Sequence, residues 1–121
     1  MGLLDERYFI YAEDADWCLR AREAGLGLWF VPTARLWHQV SASSGGAVNP
    51  WKIYQRLRAN VTLWSRHARG FATLTWGPAF VAQQAALWTL LVASGQFAAA
   101  AAIPRGLLDS LAGKDPAEVK L

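Results

Sequence analysis

The chain has 121 residues, of which 54% are apolar and 17% charged, so its length fits one small domain and its composition excludes intrinsic disorder. A single cysteine, Cys18, excludes an intramolecular disulfide and a zinc site built on paired thiolates. The net charge of +3 is unevenly distributed: residues 1–40 carry six carboxylates and four arginines, residues 41–70 carry five cations and no carboxylate, and residues 71–104 carry no charge.

The first elements of the chain predict a strand followed by a helix. Tyr8–Tyr11 is a short aromatic and β-branched run of the kind found in strands. A helix is expected over residues 15–24, because Asp14 is a favourable residue to cap its first turn and Gly25 a favourable residue to end it. The acidic residues of this segment therefore lie where the strand meets the helix.

Two further strands are predicted before residue 41. Leu28–Val31 is apolar and is ended by Pro32, and Arg35–Val40 alternates between the two faces. The order strand, helix, strand, strand is an α/β pattern. Since about 40 residues bury too little apolar surface to stand alone, we expect these elements to be part of a larger enzyme.

One ordered string of residues resembles a known family. It reads GLLDERYFIYAEDADWCLR over residues 2–20 and continues with Gly25, Val31-Pro32, Ala34 and Trp37-His38. The string closely resembles the C-terminal part of family 2 glycosyltransferases, and above all their rhamnosyltransferase-like branch. The resemblance implies an α/β fold, the C-terminal part of a GT-A (Rossmann-like) domain, over residues 1–48. The residues that follow predict a helical and membrane-associated extension over residues 49–121.

The resemblance also assigns roles to three acidic residues. Asp14 takes the position of the base that accepts the proton of the acceptor hydroxyl, with Glu13 beside it. Asp16 takes the second acidic position, which orients a neighbouring group or the acceptor. The residues themselves leave a plainer interpretation open, in which Asp14 only caps the helix and Asp16 only compensates its dipole or pairs with Arg20 one turn on.

His38 matches a histidine that completes the metal site in many enzymes of this fold. The resemblance therefore implies a divalent cation, Mg²⁺ or Mn²⁺, on the diphosphate of a nucleotide-sugar donor. A lone histidine on a strand is also compatible with a packed, hydrogen-bonded role. The family's Asp-x-Asp motif and its nucleotide-binding half lie upstream of the matching segment, so we expect these 121 residues to be an incomplete and inactive piece.

The back half of the chain predicts helices that associate with a membrane. Over residues 50–69 an amphipathic helix is expected, with Tyr54, Leu57, Val61, Trp64 and Ala68 along one stripe. Its basic residues and tryptophans favour an anionic membrane surface, whereas no recognition motif supports nucleic-acid binding.

The uncharged segment that follows is expected to divide at Gly77-Pro78. The remainder, Ala79–Ile103, is long enough to cross a bilayer but only moderately apolar. A spanning helix, an interfacial hairpin and helices packed on other protein all remain open.

Together these features predict an inverting, metal-dependent glycosyltransferase at the cytoplasmic face of the cell membrane. It would transfer a sugar, by resemblance rhamnose from dTDP-rhamnose or a similar hexose, to a glycan or lipid-linked acceptor in cell-surface polysaccharide synthesis. The alternative is a non-catalytic, membrane-docked helical module that retains a degenerate edge of the enzyme.

Overall fold

The computed structural model describes residues 2–37 and 48–115, and it places four helices there. They are α1 (Glu13–Glu23), α2 (Pro50–His67), α3 (Phe71–Ala93) and α4 (Phe97–Leu111). The described segments that precede and connect the helices consist of turns, bends and backbone without regular secondary structure. The described part of the chain is therefore all-helical.

The predicted α/β fold is wrong for this chain, because none of the described residues forms a β-strand. Phe9–Tyr11 is a run of bends, and Leu28–Val31 has no regular secondary structure and is exposed. The described part of the third predicted strand, residues 35–37, is also exposed and irregular. A strand is stable only when a neighbouring strand accepts its backbone hydrogen bonds, and the described part of the chain provides no such partner.

α1 confirms the helix predicted over residues 15–24, apart from its start. The helix begins at Glu13, and its N-cap is Ala12 without a side-chain hydrogen bond, so the predicted cap role of Asp14 is wrong. The predicted stop is confirmed. Gly25 adopts a φ of +79°, and the amide of the next residue, Leu26, donates a hydrogen bond to the Ala21 carbonyl.

α2 confirms the helix predicted over residues 50–69 and is the central element of the fold. Asn49 accepts a hydrogen bond from the Trp51 amide at 2.8 Å, and Pro50 occupies the first turn, where its missing amide is not needed. The predicted stripe is the packing face. Tyr54 and Leu57 are buried, and the Trp64 ring stacks on Trp76 of α3.

α3 continues through Gly77-Pro78, so the predicted division at that point is wrong. A proline inside a helix removes one backbone hydrogen bond, and its ring conflicts with the carbonyl four residues earlier. The further clash with the Cβ of the preceding residue is absent here, because that residue is Gly77. The chain turns instead at Gly95, whose φ is +73°. No helix in residues 2–37 and 48–115 has both the length and the apolar character needed to cross a membrane.

Two apolar clusters hold the helices together. The first joins α2, α3 and α4 through buried residues Leu57, Phe80, Leu91, Ala99, Ala100 and Ile103. The second consists of buried Tyr8 from the N-terminal segment and Ala59 and Leu63 from α2, and Ala15 and Leu19 of α1 pack against it. α1 is thereby fixed on α2, across the domain boundary predicted at residue 48.

Candidate functional site

The chain enters α1 through two strained residues. Tyr11 and Ala12 have φ values of 70° and 65°, in the left-handed region that L-residues other than glycine rarely adopt. Both side chains pack against the second apolar cluster, which holds them in place. This entry fixes the direction in which the first turn of α1 presents Glu13 and Asp14.

The two acidic residues of the first turn have different environments. The Asp14 side chain is exposed, and its Oδ1 accepts a hydrogen bond from the Ala15 amide at 2.7 Å. Glu13 is half-buried, and its Oε2 is buried without a hydrogen-bond partner among the described residues. Asp14 is thus the carboxylate of this pair that a second molecule can approach directly.

Asp16, two residues further on, is completely buried, with 0% of its surface exposed. Its Oδ2 accepts a hydrogen bond from Arg20 Nε at 2.7 Å, which confirms the pairing expected from their spacing. Its Oδ1 contacts three further side chains: Tyr8 Oη at 3.1 Å, Arg66 Nη1 at 3.1 Å and His67 Nε2 at 2.8 Å. Both carboxylate oxygens are therefore occupied by groups of the protein itself.

These contacts decide the charge state of Asp16. Burial by itself raises the pKa of this carboxyl, but the hydrogen bonds from His67, Arg20 and Tyr8 outweigh it and hold the pKa below the ordinary aspartate value. Burial and the nearby Asp16 charge raise the pKa of Tyr8 to about 12. Tyr8 therefore stays a neutral hydrogen-bond donor to an ionised Asp16 at neutral pH.

Asp5 extends the network to the N-terminal segment. Its carboxylate pairs with Arg7 at 2.9 Å and with Arg66 Nη1 at 2.6 Å. The hydrogen bonds from Arg7, followed by those from Arg66, hold the pKa of Asp5 far below its ordinary value. Arg66 thus bridges the carboxylates of Asp5 and Asp16. Neither Arg66 nor His67 was predicted as a partner of Asp16.

A second buried network links α2 to the end of α4. Tyr54 Oη donates to Asp109 Oδ2 at 3.0 Å and accepts from Arg58 Nη1 at 2.8 Å. Arg58 also donates to the Lys114 carbonyl, and the Lys114 ammonium pairs with Asp109 at 2.6 Å. This network stabilises the packing of α2 against α4 and involves none of the predicted site residues.

The predicted metal ligand, His38, lies outside the described residues. Within residues 2–37 and 48–115, no three His, Cys, Asp or Glu side chains are grouped closely enough to hold a metal ion. Glu13, Asp14 and Asp16 do not form such a group. The metal therefore remains a prediction that depends on the resemblance.

An open cleft of about 820 Å³ lies between the N-terminal segment, α2 and the end of α4. Tyr8 and Phe9 line one side, and Arg58, Thr62 and Lys114 are among the residues that line the others. Glu13 and Asp14 are not part of its lining. The cleft and the exposed Asp14 carboxylate are thus separate features. The N-terminal segment lines the cleft, and Asp14 follows this segment at the start of α1.

Comparison of the chain with protein-family models, with curated proteins and with solved structures finds no match in any of the three. The functional argument therefore depends on the residues of this chain and on their geometry.

Proposed function

We propose that this chain carries the acceptor-activating part of an inverting glycosyltransferase, with Asp14 as the base. The observation that carries the proposal is the contrast between two carboxylates in one helical turn: Asp14 is exposed, and Asp16 is buried and fully paired. A base must be accessible to the acceptor hydroxyl, as exposed Asp14 is. A positioning residue must be held in place, as buried and paired Asp16 is. The residue string over 2–20 supports the same assignment by resemblance.

The reaction requires one proton acceptor. The oxygen of the acceptor hydroxyl forms a bond to the anomeric carbon, while the bond from that carbon to the diphosphate oxygen breaks and the nucleoside diphosphate leaves with the electron pair. The Asp14 carboxylate takes the hydroxyl proton during the attack, which contributes roughly a 10²–10⁴-fold rate factor. A base opposite the leaving group gives inversion.

The other two acidic residues act through position. Asp16 fixes α1 on α2 through His67 and Arg66, so the first turn of α1 cannot rotate relative to the fold. Glu13 lies beside the base, and one of its carboxylate oxygens is buried without a hydrogen-bond partner among the described residues, so we assign it a supporting role next to Asp14. A divalent cation at His38 would bind the donor diphosphate; no step described for Asp14 depends on it.

Introducing Asp14→Asn into the native gene tests the proposal on the protein as the cell makes it. Membrane extracts are supplied with labelled dTDP-rhamnose, the donor implied by the resemblance, and with related nucleotide hexoses. We expect transfer to acceptor lipids to fall roughly a hundredfold or more, with donor affinity unchanged.

The matched control is Glu6→Gln, which neutralises an exposed carboxylate of the N-terminal segment. It should leave transfer at the wild-type rate. Transfer by the Asp14→Asn protein within about tenfold of wild type would refute the base assignment.

The second candidate is a non-catalytic helical module, which the all-helical architecture favours. In that case, activity in the extracts would not change when Asp14→Asn is introduced into the native gene. It would change when exposed apolar residues of α3 are substituted. The same gene replacements therefore discriminate the two functions.

A further inference from the structure

Arg58 is a buried cation whose two hydrogen-bond partners are both neutral. Only 7% of the residue is exposed, and its guanidinium donates to the Tyr54 hydroxyl and to the Lys114 carbonyl. It forms no ion pair with any carboxylate in residues 2–37 and 48–115. Burying a charge is costly unless an opposite charge compensates for the lost hydration. A buried cation without such a partner is therefore a candidate binding group for an anion.

The carboxylate that the hydrogen-bond network places nearest to Arg58 is already paired. This carboxylate is Asp109, which accepts a hydrogen bond from the far side of the Tyr54 hydroxyl at 3.0 Å. The Lys114 ammonium lies 2.6 Å from one Asp109 oxygen, and Arg105 Nε lies 3.8 Å from the other. Since closer cations already balance Asp109, it does not also neutralise the charge of Arg58.

Arg58 lines the open cleft between the N-terminal segment, α2 and the end of α4, together with two further donors. Thr62 lies one turn along α2, on the same face as Arg58. The Thr62 hydroxyl has no hydrogen-bond partner in the described part of the chain, whereas the Ser65 hydroxyl donates to a carbonyl of its own helix. Lys114 lines the cleft from the end of α4, with 59% of its side chain exposed.

The rest of the cleft provides room and apolar surface for a larger molecule. Its volume of about 820 Å³ is in the range of sites for small organic ligands and exceeds what one inorganic ion fills. Phe9, which is 52% exposed, and Val61 supply apolar lining. Glu6 and Asp115 also border the cleft, but both are exposed to solvent and neither pairs with Arg58.

We propose that this cleft binds a small molecule that carries a phosphate group. The phosphate contacts Arg58, Thr62 and Lys114, and the organic body of the ligand lies against the Phe9 ring. A guanidinium has five N–H groups, of which Tyr54 and the Lys114 carbonyl use two, so others remain to bind phosphate oxygens.

The donor set favours phosphate over carboxylate. A phosphate group is tetrahedral, carries up to about two negative charges and offers three acceptor oxygens to donors on different sides. A carboxylate has one charge and two oxygens, so it would use fewer of the three donor side chains. The cleft lining does not include Asp14, and this binding does not depend on sugar transfer.

Isothermal titration calorimetry of the full chain with three probes tests the proposal: phenyl phosphate, inorganic phosphate and benzoate. We expect phenyl phosphate to bind most tightly, because both its phosphate and its ring contact the cleft. Benzoate presents the same ring on a carboxylate and should bind at least about tenfold more weakly. Phe9→Ala should weaken binding of phenyl phosphate by about threefold or more, and binding of inorganic phosphate should not change.

Substitutions of the phosphate-binding residues have matched controls. Lys114→Gln should weaken binding of both phosphates by about tenfold, because a charge-assisted hydrogen bond is lost. Arg105→Gln removes another cation that contacts Asp109 but does not line the cleft, so binding should not change. Thr62→Val should weaken binding by about threefold, whereas Thr89→Val on α3, outside the cleft lining, should not affect it.

Arg58→Gln should weaken binding of both phosphates by roughly a hundredfold or more. Circular dichroism checks that this variant keeps its helices. If it does not, the double substitution Thr62→Val with Lys114→Gln replaces it, with Thr89→Val and Arg105→Gln as the paired control.

Three results would overturn the proposal. In the first, neither phosphate binds to the unmodified chain. In the second, benzoate binds as tightly as phenyl phosphate, which would exclude selection for phosphate. In the third, Arg105→Gln weakens binding as strongly as Lys114→Gln, which would indicate attraction to the overall charge rather than a site in the cleft.

Discussion

The Nε2 atom of His67 lies 2.8 Å from Oδ1 of the fully buried Asp16. This contact joins the last residue of α2 to the first turn of α1, 51 positions apart in the chain. The His67 side chain is itself buried, and its other ring nitrogen lies 3.5 Å from Glu23. One imidazole therefore helps to determine how α1, and with it Asp14, is placed on α2.

Arg66→Gln should lower the free energy of unfolding by about 3 kcal/mol, because it leaves two carboxylates, Asp5 and Asp16, without their shared cation. Urea unfolding followed by circular dichroism measures the change. The control Arg69→Gln removes an exposed cation with a single contact at 3.7 Å, and it should alter stability by less than about 0.5 kcal/mol. Equal effects of the two substitutions would show that the buried network does not stabilise the fold.

Stability should decrease as the pH is lowered. The pKa values of Asp5 and Asp16 in the folded chain lie below their ordinary values, so the unfolded chain binds protons more readily. The stabilisation is therefore fully present above about pH 5 and is lost as the pH falls below about 4. Urea midpoints measured across this range test the direction. Asp109 has a lowered pKa too, chiefly because of its hydrogen bond with Lys114. Asp16→Asn removes one of these three groups and should make the decrease shallower; an unchanged pH dependence in that variant would contradict the account.

Tyr54→Phe should destabilise the chain by about 1–2 kcal/mol, because the Tyr54 hydroxyl connects Asp109 to Arg58 inside the protein. Tyr11→Phe is the matched control: the Tyr11 ring lies beneath Arg56, and that contact does not require the hydroxyl. Thermal unfolding of both variants measures the difference. If Tyr54→Phe proves as stable as the control, the second network contributes only packing.

Gly106→Leu should destabilise the packing of α4 on α2 by about 1–3 kcal/mol. A Cβ atom at position 106 would lie 3.2 Å from Leu57 Cδ2 and 3.4 Å from Tyr54 Cδ2, so there is no space for a larger side chain. Ala101→Leu adds the same side chain to an exposed position on α4 and serves as the control. If denaturant unfolding gave the same stability for both variants, α4 would not pack on α2 in the way described.

The sequence predicted the helices better than the strands for a physical reason. The bounds of α1 and α2 follow from local signals, namely Gly25 at the end of α1 and Asn49-Pro50 at the start of α2. A strand depends on a partner elsewhere in the chain, so the apolar run Leu28–Val31 resembles one without forming one. Pro78 predicted a break that does not occur, since α3 continues through it; the glycine before it removes one of the steric conflicts that a proline brings to a helix.

The candidate site was predictable to the extent that its contacts are local. Asp16 and Arg20 are four residues apart on one helix, and their pairing was expected from that spacing. The contacts from Arg66 and His67 arise only when α2 packs against α1, and the sequence between them contains no signal for that pairing. The charge pattern was informative in one respect, since an acidic front segment and a basic middle segment meet in this network.

The division of roles between Asp14 and Asp16 is the central claim, and measuring transfer and stability on the same two variants tests it most directly. For Asp14→Asn we predict that sugar transfer falls roughly a hundredfold or more while the urea midpoint stays at the wild-type value. For Asp16→Asn we predict a loss of about 3 kcal/mol in the free energy of unfolding, because the partly buried Arg20 and Arg66 lose the counter-charge of the buried carboxylate. The opposite pattern, in which Asp14→Asn destabilises the chain while transfer stays within about tenfold of wild type, would contradict the account.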